Sequence, residues 1–136
     1  MGRRVALTSA LALWTVLLSA QALTVTIEVQ PGDPGPKSIE PKRGGMMPVA
    51  ILTTRDFDAA GVDPDSIRLG PTGTEAYVFR SMLEDVDRDN DVDRLVLVRV
   101  SEMAFKCGDT RLRLTGKTVS GRAIEASAVV RMEGCP

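Results

Sequence analysis

Beyond residue 22, apolar and polar positions alternate in short runs with the period of two that marks a half-buried strand. Thr24 to Val29 places Val25, Ile27 and Val29 on one face. The proline- and glycine-rich stretch Pro31 to Pro36 then breaks the chain, and a loop runs on to Gly45. Met46 to Thr54 is apolar on both sides, which predicts a central strand with Pro48 at its start or at a bulge. Arg55 to Asp65 reads as a connection with room for one helical turn, with Asp56 placed to cap it and Phe57 turned inward. Ser66 to Gly70 is a short strand stopped by Gly70-Pro71. Ala76 to Val86 leads as a strand into an acidic loop, and Arg94 to Val100 leads out of it. Thr110 to Thr115 alternates cleanly, Ser120-Gly121 marks a hairpin turn, and Arg122 to Met132 pairs back. Helical periodicity is not sustained anywhere after residue 22, and no internal repeat is present. About seven short strands separated by frequent turns predict an all-β domain, an antiparallel β-sandwich.

The loop between the two central runs carries the chemistry. Glu84 to Asp93 reads EDVDRDNDVD. Asp85, Asp87, Asp89 and Asp93 stand at relative positions 1, 3, 5 and 9, with Asp91 at 7, which is the ligand spacing of a calcium loop. A hard cation takes several oxygen ligands at short range, and alternate carboxylates on a tightly wound loop can converge on one point. Without a cation the convergence is costly: two carboxylates roughly 5 Å apart repel by roughly 3 kcal/mol at an effective dielectric near 20. Position 6 is Asn90, which tolerates a left-handed backbone better than most residues. Position 12 is Val96, which cannot ligate, and the apolar β-branched run that follows Asp93 is a strand. The pattern is therefore a loop-then-strand site, with the Asp91 backbone carbonyl as the position-7 ligand. A solvated acidic turn that binds no metal is the competing reading.

The N-terminus bears on compartment. Arg3 and Arg4 precede an apolar run from Val5 to Leu18, and Ala20-Gln21-Ala22 fits a small-x-small cleavage site. The run is shorter than the roughly 20 residues a membrane span needs. Residues 1–22 are thus expected to be a cleaved signal peptide, leaving a single domain over 23–136 that is secreted or periplasmic and not inserted in a membrane. Without those two arginines the formal charge moves from -1 to about -3. A mildly acidic domain without a basic cluster in its sequence argues against nucleic acid as a partner. Sparse aromatics, namely Phe57, Tyr77, Phe79 and Phe105 beyond the leader, disfavour base-stacking and sugar-stacking platforms. The pair Cys107 and Cys135 reads, in an exported chain, as a disulfide, and the absence of a C-x-x-C motif leaves little room for a redox role.

Four segments together, VTIEVQPGDPGPKSIEPKRGGMMPVAILTT, DFDAAGVDPDSIRLG, LEDVDRDNDVDRLVLVRV and CGDTRLRLTGKT, resemble a recurring secreted domain found in extracellular proteins of bacteria and archaea. Members of that family carry an acidic loop of the form D-x-[DN]-x-D-G, similar to the calcium loops of dockerins and integrin-type repeats. The resemblance implies calcium at Asp85, Asp87, Asp89 and Asp93 and an Ig-like sandwich. This chain departs from the pattern where glycines are expected, with Arg88 and Asn90 in their place.

A non-catalytic, calcium-stabilised extracellular module for binding or adhesion, its partner unnamed, fits these features. A small secreted hydrolase is the first alternative. The chain has no His, the commonest general base, and Ser81 and Ser101 have no base at motif spacing. A periplasmic inhibitor or chaperone-like partner using a free strand edge is the second. Other features take plainer readings. Lys37, Lys42 and Arg43 form a solvated loop. Asp56, Asp58, Asp63 and Asp65 serve turns and caps. Met46, Met47, Met103 and Met132 fill the core rather than bind copper.

Overall fold

The period-two segments become strands. In the computed structural model, which describes Gly2 and residues 21–136, these are β1 (Leu23–Thr24), β2 (Ile27–Val29), β3 (Ser38–Ile39), β4 (Met46–Ile51), β5 (Arg68–Gly70), β6 (Ala76–Glu84), β7 (Asp93–Arg99), β8 (Arg111–Lys117), β9 (Ala123–Val129) and β10 (Arg131–Met132). The only helical pieces among the described residues are 3-10 turns at Ala59–Gly61, Pro64–Ser66 and Val100–Glu102. The leader expected over residues 1–22 lies outside the described residues apart from Gly2, Gln21 and Ala22. No helix among the described residues is long and apolar enough to cross a membrane.

One large sheet takes the order β1-β9-β8-β5-β6-β7-β4-β2, and β10 pairs with β3 beside it. The sheet is mixed rather than wholly antiparallel, because β1 runs parallel to β9, as β3 does to β10. Hairpin strands must run antiparallel, but Leu23 lies opposite Ile124, and partners so remote in sequence can meet in either sense. The same stretch of chain serves both ends of the sheet. Val25 N–H donates to Glu125 O at 2.9 Å, and the next carbonyl, Thr26 O, accepts from Leu52 N–H at 2.9 Å. Residues 23–29 thereby pass from β9 to β4 and draw the two ends together, so the sheet curls around its inward face. That face holds the core: Val29, Val49, Ile51, Leu69, Val96, Val98, Leu112, Leu114 and Ile124 are almost fully buried.

Two local expectations change in the fold. Pro48 sits inside β4, opposite Leu97, and not at a strand start or bulge. Its missing N–H would face Gln30, whose N–H still donates to Pro48 O at 2.9 Å. The Gln30 carbonyl that a proline cannot serve accepts instead from Lys37 Nζ at 3.1 Å. The turn after β4 is capped by Asp58, whose carboxylate accepts from Ala60 N–H at 2.9 Å, and not by Asp56. Asp63 caps the next turn in the same way, so the second acidic cluster does serve turns, while Phe57 packs, half-buried, against the core. Val119 and Val129 extend into water at the far hairpin. Cys107 and Cys135 are bridged, with Cα atoms 5.8 Å apart, just ahead of β8 and just after β10. Such a bond is consistent with an oxidising, extracellular setting.

Candidate metal centre

Strands β6 and β7 are paired to their ends, Glu84 lying opposite Asp93, so the acidic loop is the connection of an antiparallel hairpin on two interior strands. Its backbone must turn twice within a few residues. Arg88 and Asn90 do this in the left-handed region, at φ 59° and 71°. Asn90 is position 6 of the loop, where a calcium loop of this spacing carries its glycine. Asn accepts that conformation at small cost, but a long β-carbon-bearing Arg does so at roughly 1 kcal/mol or more. We expect Arg88→Gly to raise calcium affinity, since it removes both the strain and a cation beside the carboxylates, and to leave the melting temperature of the metal-free protein unchanged or higher. Calorimetric titration with a chelator-treated control checks this.

Side chains and backbone wind the loop around its own carboxylates. Asp85 accepts from Asp89 N–H at 3.2 Å and from Asn90 N–H at 3.0 Å. Asp89 accepts from Asp91 N–H at 2.9 Å. Asp93 is fully buried, and its two oxygens accept from Thr53 N–H at 2.8 Å and Val86 N–H at 3.0 Å. Thr53 adds a second tie, donating from Oγ1 to Val92 O at 2.6 Å, while the same Oγ1 accepts from Ala59 N–H at 2.9 Å. On the next residue, the buried Arg94 guanidinium donates to Ala59 O at 3.2 Å, Ala60 O at 3.0 Å and Ser81 Oγ at 2.7 Å. Burial pulls the Arg94 guanidinium below its ordinary value, against the opposing pull of the Asp63 charge. The loop is thus anchored at its C-terminal end to the 53–60 connection.

The outcome is convergence. One carboxylate oxygen from each of Asp85, Asp87, Asp89 and Asp93 lies within 4.8 Å of the others. Two ligands bound to one calcium at 2.3–2.6 Å can be at most roughly 5 Å apart, so the spacing matches a shared cation. The donor set is all oxygen, without nitrogen or sulfur, and suits a hard cation. The Asp91 carboxylate is outside this set and exposed. Val92 does not turn into the core as the alternation around it suggests. It is 46 % exposed, because Asp93 takes the inward place beside it. Glu84 is likewise exposed and outside the set. Thr53 and Arg94 were not singled out by sequence reasoning. An arginine opening an otherwise apolar strand was a usable signal, whereas nothing local marked Thr53.

Asp87 is exposed, yet its carboxyl is pushed up to about 6. Desolvation by the surrounding loop comes first among the causes, then hydrogen bonding with Asp89, the charges of Asp93 and Asp89, and a hydrogen bond with Asp85. For a side chain this open to water, crowding of carboxylates carries more physical weight than burial. The proton is held more tightly in the folded loop than in the unfolded chain. Without a cation, this group therefore favours folding below its ordinary value of 3.8, and the contribution is lost as pH rises through about 6. A cation reverses the preference, because it binds the ionised form. We expect the apparent calcium affinity to fall as pH drops below about 6, and Asp87→Asn to remove the loss of metal-free stability on the way up. Melting curves of the two proteins across that range, with calcium and with chelator, check both signs.

No protein-family model matches the chain, and no curated protein matches it either. Function rests on the chemistry of the site itself.

Proposed function

We propose that this chain is a non-catalytic, calcium-stabilised extracellular or periplasmic domain that binds another molecule, exported by cleavage after Ala22. The observation that carries the metal reading is the approach of four aspartate oxygens to within 4.8 Å of one another. Such a cluster needs protons or a cation to persist, and Asp85, Asp89 and Asp93 are already held in place by backbone N–H groups. Calcium suits the site better than magnesium, because the ligands sit on a bent loop with an irregular geometry and magnesium demands a near-ideal octahedron. When bound, the ion would tie the hairpin connection to β7 and neutralise the repulsion. It would supply stability and not a reaction.

The domain type belongs to the same proposal. The curled sheet is read as an Ig-like sandwich, β2-β4-β7-β6 facing β5-β8-β9-β1 across one core. The test is a calcium titration followed by melting. Saturating ligand stabilises by RT ln(1 + [L]/Kd), about 2.7 kcal/mol at a hundredfold excess. Extracellular modules often bind at about 10⁻⁴–10⁻³ M, so millimolar calcium is the range to cover. We expect a clear upward shift with calcium and a smaller one with magnesium. No shift with either ion at roughly 10 mM would leave a solvated acidic turn.

A further inference from the structure

The outward face of the sheet carries a feature the linear sequence hides. Alternation on β5, β6 and β7 turns Leu69, Ala76, Val96 and Val98 to the core, which leaves Arg68, Tyr77, Phe79 and Arg99 pointing out. Arg68 and Tyr77 are registered opposite each other, and the Arg68 guanidinium lies over the Tyr77 ring at 4.3 Å. Arg99 lies over the Phe79 ring at 4.5 Å. A register shift between Val78 and Arg80 turns Arg80 to the same side, opposite Leu97. Tyr77 and Phe79 remain 58 % and 56 % exposed, although the chain beyond its leader has few aromatic rings to spend on a surface.

Cations outnumber acids on this face, although Glu125 of β9 also points outward, opposite Thr115 and in register between Arg113 and Lys117. Arg113 and Lys117 of β8 alternate outward with buried Leu112 and Leu114, extending the cationic band past Arg68. Among the described residues, the only carboxylate ion-paired with any of these cations is Glu102, 3.8 Å from Arg99 and half exposed, a weak tie in water. Arg68 Nε is buried without a hydrogen-bond partner. A net acidic protein thus presents Arg68, Arg80, Arg99, Arg113 and Lys117 together on one sheet face, apart from the acidic 84–93 loop. Each ring has one face covered by a guanidinium group, which leaves less ring surface for stacking of bases or sugar rings. Arg68 already gives Nη2 to Glu75 O at 3.2 Å and its Nε is buried, so the planar N–H edges that match carboxylates are offered chiefly by exposed Arg80 and Arg99. Stacked Arg–aromatic pairs flanked by partly exposed Leu95 and Leu97 also have the composition of a protein-binding hot spot.

We infer that the outward face built on Arg68, Tyr77, Phe79, Arg80 and Arg99 docks an acidic, carboxylate-rich segment of a partner protein. This deepens the binding role proposed above and rests on that reading for the role alone, since the face does not include the metal loop. Guanidinium edges would pair with Asp or Glu side chains, and the rings would hold the guanidinium planes in register.

The test uses the purified protein and a fluorescein-labelled glutamate 20-mer, read by anisotropy at low and at near-physiological salt, with heparin and oligo-dT as separate probes. We expect saturable binding of the glutamate peptide, weakened by salt. Arg80→Glu and Arg99→Glu should each raise its Kd by about tenfold or more, whereas Arg43→Glu on a remote loop should change it less than about twofold. Tyr77→Ala and Phe79→Ala should weaken binding while melting normally. Absence of saturable binding, insensitivity to the Arg80 and Arg99 reversals, or tighter binding of heparin or oligo-dT than of the peptide would each overturn the proposal. A calcium-induced melting shift measured on the same samples separates the two readings. A shift without peptide binding sinks the docking face alone, and peptide binding without a shift sinks the metal alone.

Discussion

Removing the Asp93 carboxylate should destabilise the metal-free protein by about 3–6 kcal/mol, taking about 1.5–3 kcal/mol for each of the two charge-assisted hydrogen bonds lost in a buried setting. Asp93→Ala strands two backbone donors, Thr53 N–H and Val86 N–H, at a site with no exposure. It also releases the 53–60 connection, because Thr53 holds both Val92 O and Ala59 N–H. Asp87→Ala should act in the opposite direction. Its carboxyl sits among like charges, so its loss should leave the metal-free protein as stable or more stable at neutral pH, while abolishing the calcium response. Asp91→Ala should weaken calcium binding mildly, since its carboxylate is outside the converging set. Urea denaturation of the three variants with calcium and with chelator decides between these outcomes. If Asp93→Ala and Asp87→Ala cost the same in chelator, Asp93 is not the structural anchor described here.

Loss of the Cys107–Cys135 bond is the second large effect. The bond closes a loop with a sequence separation of 28, for which the chain-entropy model gives about 3.5 kcal/mol. It also fastens the end of the chain behind β10. There Arg131 N–H donates to Lys37 O and Glu133 N–H to Ile39 O, both across to the β3 stretch. Without the bond these few contacts alone must hold the terminus. A Cys107→Ser/Cys135→Ser variant should therefore melt roughly 14 °C lower, at about 4 °C per kcal/mol for a domain of this size. Amide exchange at residues 131–133 should quicken before that of β8 or β7. A shift of only a degree or two would mean that β3 and β10 hold without the bond.

The strands, the acidic loop and the cysteine pair were legible in the sequence because each is written locally. Alternation places Val25, Ile27 and Val29 on one face whichever strand lies beside them. Carboxylates at every second position of a short loop are close neighbours in any compact form of it, so Asp85, Asp87 and Asp89 were readable as a group, with Asp93 closing the set. Asn90, at position 6 of the loop, was readable as a left-handed turn, whereas the left-handed backbone at Arg88 was not. Contacts that depend on which strand neighbours which were not legible. Thr53 meets Asp93 across 40 positions, and Arg94 reaches Ala59 and Ala60 over 35 and 34. The parallel seat of β1 on β9 and the gathering of Arg68, Tyr77, Phe79 and Arg99 from β5, β6 and β7 follow from register as well. A shift of one residue would turn those side chains to the core and the core to water. Local pattern thus determines which residues pair into strands and which can ligate, while the register that lets the core close decides what stands beside the loop and what is left on the outward face.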